Sequence, residues 1–137
     1  EFTRLELLGI EIEDDDAADM VLPQSCSALQ GRRCGIYAHR PQSCRAFECR
    51  LLKDAQRGAV SVERAGEHIV EALERIGRVK ALLTRLGQRD RRLPLGERCA
   101  EALAAETSAD PQVNRRRAEL NAAMSSVERW MRRRFMG

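Results

Sequence analysis

Aromatic residues are scarce in this chain: three Phe, one Tyr and one Trp, 4% of 137 residues. Any core must therefore rest on Leu, Val, Ile, Ala and Met, and a β-rich fold is disfavoured. No apolar run reaches the roughly 18 residues that a membrane-spanning helix needs. The N-terminus lacks the basic-then-apolar pattern of a secretory signal. Lysine is nearly missing, with two Lys against 22 Arg. Beside so much alanine, that imbalance reads as GC-rich coding rather than phosphate recognition. No phosphate-binding Walker loop, dinucleotide fingerprint, nucleophile elbow or HExxH motif occurs, so the commonest enzyme signatures are missing. Internal repeats and low-complexity linkers are missing too.

The charge that is present is uneven. The net value is +3, but residues 1–25 hold eight acids against Arg4 alone, and residues 111–137 hold seven arginines against Glu119 and Glu128. The acidic run around Asp14–Asp16 has neither EF-hand spacing nor the glycine such a loop needs, and reads as a solvated loop. The basic C-terminus reads as a solvated helix end, which disfavours nucleic acid as a partner.

Helices dominate the second part of the chain. FTRLELLGI fits a strand or a short helical turn, broken by Gly9, and Ala17–Leu22 fits either state, closed by Pro23. LLKDAQRGAV is a short helix that Gly58 interrupts. Ser61 reads as an N-cap with Glu63 in the first turn. Apolar residues then follow at 62, 65, 69, 73, 76, 79, 83 and 86, in steps of three and four. Glu71–Arg75 and Glu74–Arg78 are i,i+4 pairs on its outer face, and Gly87 ends the helix. This stripe places His68 on an exposed or flanking face. A second helix is expected from Leu95 to Ala105, with Cys99 on its apolar face as a buried thiol. Asp110 and Pro111 open the last helix. Its apolar line is Val113, Leu120, Met124, Val127, Met131 and Phe135. Met124, Trp130, Met131 and Phe135 read as ordinary packing residues. The two long helices are expected to pair antiparallel.

Chemistry concentrates elsewhere. Four of the five cysteines, Cys26, Cys34, Cys44 and Cys49, fall within 24 residues. The stretch SCSALQGRRCGIYAHRPQSCRAFEC has one Leu, one Ile, one Tyr and one Phe. It reads as loop and turn, too polar for an apolar core of its own, so disulfides or a metal must hold it. An odd cysteine count and the missing signal pattern point to a reducing, cytoplasmic compartment, where structural disulfides are rare. That favours metal. The spacing C-x7-C-x9-C-x4-C lacks the C-x2-C knuckles of a zinc ribbon, so it suits a tetrahedral zinc site and an iron–sulfur cluster equally. Arg32, Arg33, Arg40 and Arg45 flank the cysteines, and guanidinium groups suit thiolate charge. They could also be plain surface residues of an arginine-rich chain. His39 is a further candidate ligand.

These residues carry a resemblance. Cys34-Gly-Ile-Tyr37, Arg40-Pro41 and Cys44-Arg45-Ala-Phe47-Glu-Cys49 resemble the bacterial cysteine-cluster family, described as zinc- or iron-chelating and including flagellin lysine N-methylase. The family pattern, a cysteine and a short loop followed by C-x-I-Y-x2-R-P-x2-C-R-x-F-x-C, is matched at every fixed position from Cys26 on, over roughly residues 22–52. The resemblance implies Cys26, Cys34, Cys44 and Cys49 as metal ligands, with Tyr37, Arg40, Pro41, Arg45 and Phe47 as their supporting shell. One departure stands out. The family carries another cysteine group, near C-x2-C-x2-C-C, upstream of this half, and no cysteine precedes Cys26 here.

The expectation is a mostly α protein: a small helical bundle with an irregular Cys-rich metal-binding segment near the N-terminus. It is read as one domain over 1–137, with the Cys-rich segment at 1–52 and the bundle at 53–137. The expected activity is metal binding through four thiolates, with an iron–sulfur cluster or Zn2+, in a structural, metal-handling or redox-linked role. The alternatives are a methylase-like, metal-dependent protein-modifying enzyme and a helical interaction protein, for which the heptad-like stripe at 61–86 and the Arg-rich C-terminal helix suit homodimerisation or docking on an acidic protein partner.

Overall fold

The computed structural model describes residues 2–14, 20–21 and 26–136. The protein is mostly helical, and its contacts group it into two compact units, Glu1–Phe47 and Glu48–Gly137.

The second unit is a helical bundle. It comprises α3 (Arg50–Gln56), α4 (Val62–Arg85), α5 (Leu95–Ala104) and α6 (Pro111–Arg134). The expected caps are in place. The Ser61 hydroxyl accepts from the Arg64 N–H at 3.1 Å, and the Asp110 carboxylate accepts from the Gln112 N–H at 2.8 Å. Each satisfies a donor that a helix start leaves orphaned. Pro111 occupies the first turn of α6, where its missing N–H leaves no bond unmade. Gly87, at φ +81°, turns the chain out of α4 in the left-handed region.

α4 and α6 pack antiparallel. His68 meets Trp130, and seven residues further along α4, Arg75 meets Ser126. Val79, Leu82, Leu83, Cys99, Leu120 and Val127 form the core, with Ile76, Leu86, Leu95, Leu103, Met124 and Met131 packed against it. Val79, Leu83 and Leu120 are fully buried. Cys99 is the buried thiol expected, and burial pushes its ionisation up.

The stripe on α4 needs one correction. Its C-terminal half, 76 to 86, faces the core as expected. In the N-terminal half the buried positions are His68 and Ala72, while Val62, Ile69 and Leu73 are exposed, Val62 by 76%. His68 is therefore not on an exposed face; only 4% of it is accessible. The reason lies on α6. Trp130 meets the His68 ring edge-on with centroids 5.5 Å apart, and its indole N–H donates to the His68 carbonyl at 3.3 Å. An aromatic ring with a polar edge selects the face that offers a ring and a carbonyl, not the most apolar one. Arg75 and Arg134 lie over the same indole, at 4.7 and 5.2 Å from its centroid, so Trp130 is more than a packing residue.

The first unit differs in kind. FTRLEL forms α1 (Phe2–Leu7), one of the two states expected. Gly9, at φ +74°, ends it, and the Ile10 N–H donates back to the Leu5 carbonyl at 3.0 Å. Two short antiparallel ribbons follow, β1 (Glu13–Asp14) with β2 (Met20–Val21), and β3 (Leu29–Gln30) with β4 (Arg33–Cys34). A 3-10 turn at Tyr37–His39 and the short helix α2 (Gln42–Ala46) complete it. Of the Ala17–Leu22 stretch only Met20 and Val21 are described, as a strand; its other residues, and Pro23, lie outside the described residues.

The cysteine segment is thus not all loop, and it is not coreless. Leu5, Ile10 and Ala28 are buried together, and Ile12, Cys26, Cys34 and Ile36 pack against them. The expectation of no apolar core failed because Leu5 of α1, and Ile10 and Ile12 just after it, bring apolar groups from outside the segment to Ala28 and Ile36 within it.

Candidate metal centre

Local structure positions each cysteine. Cys26 precedes a turn in which its carbonyl accepts from the Leu29 N–H at 3.0 Å. Cys34 ends β4, opposite Leu29. Directly after it the Gly35 N–H donates to the Ala28 carbonyl at 2.8 Å. A side chain at Gly35 would come within 2.9 Å of the Gln30 amide and 3.2 Å of the Ala28 carbonyl, so glycine permits this closure. Cys44 lies mid-way along α2, which Pro41 precedes. Cys49 is the N-cap residue of α3, in the second unit, where the next N–H, on Arg50, donates to the Phe135 carbonyl at 2.9 Å. All five cysteines are free thiols.

Three of the four clustered cysteines share a cavity. Cys26, Cys34 and Cys44 line a space of about 200 Å³ with Leu5, Ile10, Ala28, Leu29, Ile36, Arg40 and Pro41. Cys26 and Cys34 are half-buried and Cys44 is exposed. Among the described residues no carboxylate lines this space, and Arg40 is the single charged residue that does. The donor chemistry, three thiols in an apolar wall, fits zinc or iron. The spacing is looser than a closed site. Among the described residues, no three of His, Cys, Asp and Glu stand close enough to hold an ion.

The expected supporting residues divide. Arg40 is held by Tyr37: its guanidinium carbon lies 3.6 Å from the ring centroid, and its Nε–H donates to the Tyr37 carbonyl at 3.1 Å. Pro41 is buried in the cavity wall. Phe47 is 74% exposed and supports nothing in the cavity. Arg32 and Arg33 are exposed and do not line the cavity. Arg45 and His39 line a different cavity, next along the chain. His39 Nδ1 lies 2.8 Å from Arg4 Nη2, and because a guanidinium only donates, Nδ1 is the acceptor.

Sequence reasoning missed Leu5 and Ile10, both in the cavity wall. Their signal was available as two apolar residues with a helix-breaking glycine between them, but a helix of six residues is too short to show a period. No helix among the described residues is long and apolar enough to cross a membrane.

Comparison of the chain with protein-family models, with curated proteins and with solved structures finds no match in any of the three. The likeness to the cysteine-cluster family rests on the motif from Cys26 to Cys49 alone.

Proposed function

We propose that this protein binds a soft metal, zinc or an iron–sulfur cluster, through the thiolates of Cys26, Cys34, Cys44 and Cys49. The observation that supports this is the shared cavity of Cys26, Cys34 and Cys44, which are 8 and 10 residues apart in sequence and come from three different local structures. Cys49 joins the set on sequence grounds, through its C-x4-C spacing to Cys44. Metal binding would draw the sulfurs together, with the binding energy appearing as stability of the first unit. Arg40 would offset thiolate charge from its seat on Tyr37. The role is structural, metal-handling or redox-linked, in the cytoplasm. The test is an absorbance spectrum and elemental analysis of protein purified without oxygen. A brown protein with iron identifies a cluster, a colourless one with zinc a tetrahedral site. A metal-free and fully folded protein ends the proposal.

A second reading has its own support. Val62, Ile69, Val70 and Leu73 are exposed on the first half of α4. A helical face of this kind suits association with a second copy of the chain. Sedimentation at high concentration tests it; a strict monomer ends it.

A further inference from the structure

The second cavity of the N-terminal unit measures about 390 Å³ and is lined by Arg4, His39, Arg40, Gln42 and Arg45 among others. Three guanidinium groups therefore meet one space, and among the described residues no Asp or Glu lines it. Among the described residues Arg4, Arg40 and Arg45 have no carboxylate partner. Like charges gathered in one space repel one another, and an anion placed among them offsets that repulsion.

The groups are also held in place. Arg4 is a residue of α1 and is tied to His39. Arg40 is stacked on Tyr37. Arg45 stands in the last turn of α2. Arg4 and Arg40 each spend one N–H on the contacts named, out of the five a guanidinium carries. Because His39 Nδ1 accepts from Arg4, its neutral ring carries the proton on Nε2, which adds a further donor.

We propose that this cavity binds a small tetrahedral oxyanion, a phosphate or the phosphate group of a monoester. Several oxygens sharing up to two negative charges match several forked guanidinium donors better than a single carboxylate does. The bulk arginine content says nothing about this; the convergence of three arginines on one cavity does. The proposal does not rest on the thiolate reading, since none of Cys26, Cys34, Cys44 and Cys49 lines this cavity.

The test is a titration of inorganic phosphate into the 15N-labelled full chain at constant ionic strength, followed by NMR. Saturable shifts are expected at Arg4, His39 and Arg45. Arg45→Gln, at an exposed position, should weaken binding roughly tenfold or more. Arg57→Gln, at the C-cap of α3, should leave it unchanged. Methyl phosphate is the second probe: equal or tighter binding identifies a monoester as the ligand, weaker binding identifies the free anion, and both uphold the site. Signals of Arg4, His39 and Arg45 that stay still, or Arg45→Gln binding phosphate as tightly as the parent chain, would overturn it.

Discussion

The helical unit and the cysteine-bearing unit solve the same problem with different means. In residues 48–137 two 24-residue helices bury Val79, Leu83 and Leu120 completely and close their ends with Ser61 and Asp110. In residues 1–47 three buried apolar side chains, Leu5, Ile10 and Ala28, have to organise two two-residue ribbons and two short helices. An apolar cluster that small offsets little of the ordering entropy of its segment. The difference teaches where outside help is needed. The first unit is where an ion, an anion or both would add most stability.

That contrast can be broken in several places. The largest effect is expected in the helical core: Leu120→Ala should destabilise the second unit by about 2–5 kcal/mol, as truncations of fully buried leucines do. Thermal unfolding measures it, and the metal content per chain should not change. Cys34→Ser should act the other way, lowering metal content and raising hydrogen exchange across residues 26–47, with α4 and α6 unaffected. Unchanged exchange around Cys34 would argue that the apolar cluster alone suffices.

An intermediate effect is expected from His68. Burial, then the positive charges of Arg134 and Arg64, hold its pKa below the usual value, against the opposing pull of Glu71 and Glu67. The folded state therefore binds its proton less readily than the unfolded chain. This group's contribution is fully present above the unfolded pKa of about 6.5 and is lost as pH falls through that value towards the lower folded one. His68→Gln should flatten the difference in stability between neutral and mildly acid pH, measured by denaturant unfolding against the parent. A steeper drop in the variant would show that the sign is wrong. The smallest effect is expected at the caps. Asp110→Ala should cost about 1 kcal/mol through the lost bond to the Gln112 N–H, and the midpoint of urea unfolding reads it.

Much of the helical unit could be read directly from the sequence, because long helices repeat their signals. The cap at Ser61, the break at Gly87 and the Asp110–Pro111 start all fell where expected. The face of α4 was legible only where Leu and Val meet Leu120 and Val127. Near Trp130 a specific ring contact overrode periodicity and buried His68. In the first unit the cysteines announced themselves, but their surroundings did not. Two-residue strands and a five-residue helix leave no periodic trace, and the apolar groups that pack on Cys26 and Cys34 come from α1 and the residues just after it, well before the motif. The charged residues around Cys44 were legible as a cluster. Their arrangement, with Arg40 lining both cavities and Arg45 with His39 lining the second alone, depends on the turn at Tyr37–His39, which leaves no trace in the sequence.

Hydrogen exchange of the anaerobically purified chain, with and without a strong chelator, reads the dependence of the small unit on a bound ion most directly. The expected result is loss of protection across residues 26–47 on chelation while residues 62–134 keep theirs. Equal protection in both samples would contradict it.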